Sequence, residues 1–391
     1  MKDASHIRWP SWPNYGKEES IAVERVINSN QLFAADRVKQ FEHNFSKYTG
    51  TAFAKGVGNA TQGLHLSLAA LEIGEGDEVI VPPYTFIASA SSILMQNAVP
   101  IFCDCDPATR ALSADKIEPH ISKNTRAIIV VHMFGYPADM DPILELAQKH
   151  GLAVIEDASH AYGAEYKGRR CGGIGDIGVF SMHQRKALSA GDGGVVTTDD
   201  PEINEKIYRL RSFGHNQLSY NYRMTEFAGA LGVVQLNKID DHNKARQENA
   251  KLLDTLLEEI DLLNVIKPLD SATSVYYRVL LHYNPKKFNC KINEFSSYIQ
   301  KFGVPLEMTW KLLHKHSHFN PEKIPARGVP WESHRYDGVM KGKKYGSLSF
   351  PMIENLCDNH LLELCVHPPV SEEEILFAVK TIEKAIGKFS K

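Results

Sequence analysis

Residues 176–194 read DIGVFSMHQRKALSAGDGG, an apolar run that empties into a loop of small residues carrying one lysine, Lys186. Most lysines sit on solvated helix faces. This one follows a strand-like segment and precedes ALSAGDGG, too small and glycine-rich to be a helix. Gly191, Gly193 and Gly194 permit a tight backbone path there. A lysine drawn out of water into such a place has a lowered pKa and becomes a nucleophile towards carbonyl carbon, with imine formation as its natural use. An ordinary surface lysine is the other reading of the same residues.

The strand ahead of Lys186 is one of a series. AFAKGVG (52–58) leads into the amphipathic NATQGLHLSLAALEIG (59–74), and EVIVPPYTFIASASSILMQNA (78–98) repeats the pattern. VPIFCDCD (99–106), TRAIIVVHMFG (125–135), LAVIEDASHAYG (152–163) and GGVVTTDD (193–200) are further short apolar runs, with MDPILELAQKHG (140–151) as a crossover helix. Strands apolar along their whole length and separated by helices predict an α/β fold, a mostly parallel sheet covered on both faces. The alternation stops near residue 195. A long charged helix over 223–260 then bridges to a smaller mixed α+β region, so the predicted division is 1–250 and 251–391.

Composition excludes several classes. A formal net charge of −3 offers no basic field for nucleic acid. The N-terminal stretch has no signal-peptide core and no run reaches a membrane span of about 18 apolar residues, so a cytoplasmic protein is expected. Six cysteines at irregular spacing suit neither a disulfide framework nor a zinc site, and no metal is expected. GGIGDIG (172–178) matches a dinucleotide fingerprint in letters only; it precedes a strand instead of following one and reads as a turn.

In an open α/β sheet, chemistry gathers at the carboxyl ends of strands. Four stretches fall there: GNATQG (58–63), PPYTF (82–86), EDASH (156–160) and SMHQRK (181–186). The first opens a helix with small residues, a setting for phosphate on free backbone N–H groups, or a plain helix cap. In the third, alternation sends Glu156 and Asp157 to opposite faces, leaving one carboxylate for the crevice, where it can hold a cation or a protonated ring nitrogen or serve as a structural ion pair. A phosphate cradle, an aromatic cover, a carboxylate for a ring nitrogen and a lysine for an aldehyde together match pyridoxal 5'-phosphate.

The motifs VIEDASHAYGAEYKGRRCGGIGDIGVFSMHQRKALSAGDGGVVTTDD, YNYRMTEFAGALGVVQL, VPPYTFIASA and GVGNATQGLHLSL resemble those of the DegT/DnrJ/EryC1/StrS sugar aminotransferases, from about residue 10 to the C-terminus. The resemblance implies the type I fold of pyridoxal-phosphate transferases, with a seven-stranded central sheet. It places Lys186 on the lysine that forms the imine and Asp157 on the carboxylate that keeps the ring nitrogen protonated. Phe86 falls on the aromatic that stacks on the ring, and His160 on the polar residue near the phenolic oxygen, where Gln is the more frequent choice. Ala60, Thr61 and Ser181 fall on phosphate positions, Ala60 where the family usually has Gly. Asn221 falls on a residue that reaches the phosphate of the neighbouring subunit, which implies a homodimer.

The implied reaction moves an amino group from L-glutamate or L-glutamine to a keto or aldehydo sugar, for surface polysaccharide such as lipopolysaccharide or for secondary metabolites. The acceptor is a nucleotide-linked keto-hexose, a free keto-cyclitol or an eight-carbon sugar acid. A sugar dehydratase of the same family carries His in place of Lys186, and a non-catalytic regulator would lack Lys186 or Asp157. Trp9, Trp12, Trp310 and His314 are expected near the acceptor, or in domain packing, and Arg223 on a substrate carboxylate or a structural partner.

Overall fold

The structure is a computed structural model that describes residues 6–213, 215–258, 260, 262–319 and 329–391. The start of the N-terminal stretch, part of the tail of the long helix and a segment of the smaller region therefore lie outside the described residues.

The larger sheet is built from β1 (Phe53–Val57), β2 (Glu78–Val81), β3 (Val99–Phe102), β4 (Thr125–Val131), β5 (Ala153–Asp157), β6 (Ile177–Ser181) and β7 (Gly194–Thr198). Their order across the sheet is β1-β7-β6-β5-β4-β2-β3. β7 alone runs against the rest: it pairs antiparallel with both β1 and β6, and the other neighbours are parallel. The central strands are buried along their whole length, as apolar runs without alternation require. The seven-stranded, mostly parallel α/β sheet is therefore as the sequence implies.

β6 and β7 form a hairpin in which Ser181 pairs with Gly194 and Phe180 with Val195. The loop that joins them carries Lys186. Helix α1 (Lys17–Ser29) and α2 (Asp36–Thr49) pack against the long helix, and α3 (Ala60–Ala70) and α4 (Ala88–Met95) cover the sheet. Gly63 lets α3 lie close on the sheet, because a Cβ there would stand 2.9 Å from a Val179 methyl.

A second core gathers the end of the 33-residue helix Glu226–Glu258, a four-stranded antiparallel sheet and two further helices. That sheet contains Leu263–Val265, Val279–Tyr283, Leu306–Met308 and Leu361–Leu364. Residues 312–319 and 329–360 lie between its strands in sequence, yet their apolar side chains join the larger core. Phe102 at the end of β3 meets Phe319, Tyr345 and Phe350 edge-on, and the Tyr345 hydroxyl donates to the Pro100 carbonyl at 2.6 Å. Among the described residues, no helix is long and apolar enough to cross a membrane.

Candidate active site

The parallel strands bring their carboxyl ends to one edge, and a cavity of about 800 Å³ opens there. Asn59, Ala60, Thr61, Phe86, Asp157, His160, Ser181 and Lys186 all line it. Residues scattered over more than a hundred positions thus meet because each follows a strand that ends at that edge.

Asn59 caps α3, its side chain accepting from the Gln62 N–H at 2.9 Å. Ala60 and Thr61 open the first turn and line the cavity, and the N–H groups of a helix's first turn favour an anion. Gly194, at the start of β7, fixes this turn against the sheet. A Cβ on it would stand 2.7 Å from the Asn59 carbonyl carbon and 2.8 Å from the Ala60 nitrogen.

Asp157 and Glu156 leave β5 on opposite faces. Asp157 lines the cavity and accepts from the Ser89 hydroxyl at 2.7 Å and the Ser159 N–H at 3.2 Å. Thr85 stands 2.8 Å from the same Ser89 oxygen. Glu156 turns away and organises the glycine turn: it accepts from Gly172, Ile174 and Gly175 N–H at 2.7–2.8 Å and from His132 Nε2 at 2.8 Å. Burial pushes this carboxyl up, but the bonds from His132 and the turn outweigh burial and hold it below the usual range. His132 Nδ1 accepts from the Ala138 N–H at 3.1 Å. His132, Glu156 and Cys171 place their polar atoms within 4.8 Å of one another, and the ring nitrogens and the carboxylate are already occupied in holding this turn. GGIGDIG is a turn, captured by Glu156.

Lys186 Nζ lies 2.6 Å from His160 Nε2. His160 Nδ1 accepts from the Phe134 N–H at 3.3 Å, and the ring stacks on Tyr277, with centroids 4.3 Å apart and planes 5° from parallel. Burial, with Lys186, Arg278 and His367 adding to it, holds the His160 pKa well below its ordinary value, so the ring is neutral. Burial pushes the Lys186 amine down to about 8; nearby Asp157 opposes the shift and Arg278 adds to it. An amine of that pKa is a competent base and nucleophile near neutrality.

Phe86 stands 54% exposed at the mouth, its edge against Trp310 at 5.9 Å. Trp310 and Tyr277 also line the cavity. Of the aromatic residues expected near the acceptor, Trp310 alone reaches it. Trp9 donates to the Cys365 carbonyl, Trp12 donates to the Lys186 carbonyl from behind, and His314 is buried against Glu354. Arg223 packs over Phe213 at 4.4 Å and bonds Ser212, a structural setting. Asn221 is exposed and is not part of its own chain's cavity. Ser89 and Tyr277 escape sequence reading: Ser89 is one small helix residue among several within VPPYTFIASA, and Tyr277 stands in a bend ahead of the strand Val279–Tyr283.

The fold and this edge define a pyridoxal-phosphate transferase of type I. Residues 13–375 match the DegT/DnrJ/EryC1/StrS aminotransferase family, and the chain belongs to it. Over 241 residues, 59% of this chain and 65% of the other, it is 43% identical to GDP-perosamine synthase of Caulobacter vibrioides. It is 34% identical over 294 residues, 69% of each chain, to L-glutamine:2-deoxy-scyllo-inosose aminotransferase of Streptomyces fradiae. The solved structure of the aminotransferase from Psychrobacter cryohalolentis matches with a TM-score of 0.87 at 30% identity, covering 97% of this chain and 99% of that one. The protein is a sugar aminotransferase dependent on pyridoxal 5'-phosphate.

Proposed function

We propose that this chain transfers an amino group from L-glutamate or L-glutamine to a keto or aldehydo sugar, with Lys186 and Asp157 as its catalytic residues. The observation that carries this reading is the buried amine of Lys186, its pKa lowered to about 8, beside His160 in one cavity with Asp157 and the first turn of α3. The residues fit the cofactor. The α3 N–H groups at Ala60 and Thr61, with the Ser181 hydroxyl, would hold its phosphate. Asp157, aimed by Ser89 and Ser159, would face the ring nitrogen, and exposed Phe86 would cover the ring. When bound, pyridoxal phosphate supplies the electron sink for bonds at the donor's Cα.

The protein's own steps follow from the geometry. Lys186 Nζ, once free, takes the proton from the donor's Cα and returns it on the other side of the transfer. His160 Nε2–H holds the lysine lone pair in place and stands ready for the phenolic oxygen. Trp310 and Tyr277 line the cavity around the amine.

Glutamine as donor draws support from the Streptomyces fradiae relative, and a nucleotide-linked keto-hexose from GDP-perosamine synthase. An eight-carbon sugar acid is the other acceptor class. We take the setting to be cytoplasmic synthesis of amino sugars for lipopolysaccharide or another surface polysaccharide, or for secondary metabolites. The working unit is a homodimer: Asn221 would reach the partner's phosphate, and the exposed Phe33, Phe213 and Leu218 supply apolar surface for a second copy. A larger cofactor-binding lobe of 1–250 and a smaller lobe of 251–391 complete the reading.

The test is optical. Purified protein with cofactor should absorb at about 410–430 nm, and L-glutamate or L-glutamine should move the band towards about 330 nm. Return of the first band on adding a candidate keto sugar identifies the acceptor. No band after cofactor is added would end the reading.

A further inference from the structure

The loop that carries Lys186 is held from behind by the N-terminal segment. Within the loop, Met182 N–H bonds the Gly193 carbonyl at 2.9 Å, Gln184 N–H that of Gly191 at 2.9 Å, and Lys186 N–H that of His183 at 2.8 Å. The Lys186 carbonyl takes its bond from outside the loop: the Trp12 indole N–H donates to it at 2.8 Å. Three residues further on, the Tyr15 hydroxyl lies 2.9 Å from Ser189 Oγ.

The indole is itself fixed. It stacks on the His367 ring, with centroids 5.1 Å apart and planes 26° from parallel, and meets His242 edge-on at 5.2 Å. His367 follows the strand Leu361–Leu364, and its Nδ1 faces the buried Arg246 guanidinium at 3.3 Å. Trp9 donates to the Cys365 carbonyl at 3.2 Å, and Ile7 N–H to the Phe302 carbonyl at 2.9 Å. Residues 7–15 are thus fastened to the smaller lobe at one end and to the lysine loop at the other.

We propose that Trp12 is a positioning residue for the active-site amine: its bond to the Lys186 carbonyl, carried on the smaller lobe through His367, fixes the backbone from which Nζ reaches His160. The proposal rests on the reading of Lys186 as the reactive amine. Trp12 does not line the cavity, so it touches no substrate and acts only through the lysine. Displacing a reacting group by about 1 Å can cost up to about a hundredfold in rate. The effect therefore falls on kcat, with KM spared.

Trp12→Phe keeps a ring against His367 and deletes the N–H. The first readout needs no cofactor: Lys186 in the cofactor-free protein is labelled with trinitrobenzenesulfonate across a pH series, and the labelled peptide is quantified by mass spectrometry. Trp12→Phe should raise the labelling midpoint by about half a pH unit or more towards the ordinary lysine value, with the urea midpoint held near wild type. In the loaded enzyme, kcat should fall about tenfold while KM for L-glutamate stays within about twofold. Trp12→Ala should show the same labelling shift and, having lost the stack, a lower urea midpoint. An unchanged labelling midpoint in Trp12→Phe overturns the proposal. A lower urea midpoint with all readouts falling in parallel overturns it too, since it marks a structural role alone. Cofactor uptake and transamination by Lys186→Ala would instead sink the assignment of Lys186, a separate result.

Discussion

Lys186 Nζ lies 2.6 Å from His160 Nε2, while the other nitrogen of that ring accepts from the Phe134 N–H. Nδ1 is therefore unprotonated, the neutral ring carries its hydrogen on Nε2, and that hydrogen points at a lysine lone pair. An ammonium at Nζ would meet an N–H head-on. Hydrogen bonding and burial thus act in one direction.

The first prediction concerns pH. Labelling of Lys186 in the cofactor-free protein should reach half its maximum near pH 8, against about 10.4 for an ordinary lysine. The sign for stability follows: between those values the unfolded chain holds a proton that folded Lys186 has released, so this residue makes stability rise with pH. Urea titrations of wild type and Lys186→Met should differ by that slope across the window. Parallel curves would refute the lowered pKa.

The neighbouring carboxylates should separate scaffold from chemistry. Glu156→Ala leaves two buried N–H groups, the half-buried Gly175 N–H and His132 without their acceptor, and should destabilise the fold by about 3–5 kcal/mol in urea unfolding. Asp157→Asn should change stability little but cut kcat/KM at least about a hundredfold. Equal effects of the two in both assays would contradict the opposite facing of the pair.

Ser89→Ala removes the 2.7 Å bond to Asp157 from a helix that carries no other assigned role. Activity should fall about tenfold, with no more than about 1–2 kcal/mol lost in stability. Activity within twofold of wild type would mean that Asp157 needs no such aim.

Gly194→Ala forces a methyl against backbone atoms of Asn59, Ala60 and Phe180 at 2.7–2.9 Å, and none of these can swing aside. The first turn of α3 must shift. Pyridoxal phosphate affinity by equilibrium dialysis should drop, and stability should fall by about 1–3 kcal/mol. Wild-type affinity would show that this turn does not hold the phosphate.

Much of the fold was legible because buried parallel strands read as unbroken apolar runs, and because a strand's two faces force Glu156 and Asp157 apart. The glycine fingerprint at 172–178 was rejected on context alone, and Glu156 shows what the turn is for. What was not legible depends on long-range packing. Nothing near Ser89 or Tyr277 in sequence announces their partners, which lie 68 residues away for Ser89 and Asp157. Trp12 reads in the sequence as an acceptor residue or as domain packing, because its aromatic character is visible and the direction of its N–H, onto the Lys186 carbonyl, is not. The segment 329–360 lies between strands of the smaller lobe in sequence, and long-range contacts, Tyr345 and Phe350 on Phe102 and the Tyr336 hydroxyl on Glu78 among them, draw it to the larger core.

The hairpin that pairs Ser181 with Gly194 has a consequence for how the enzyme is made. Its loop is closed by neighbours in the chain, so it costs little entropy and can form while synthesis is still under way. Trp12 leaves the ribosome before that hairpin, but the ring it stacks on, His367, is among the last residues to be made. A chain halted near residue 360 would contain every residue assigned to the cavity and still lack the anchor behind its reactive amine. The anchor behind the reactive amine is thus the last part of the site to be made.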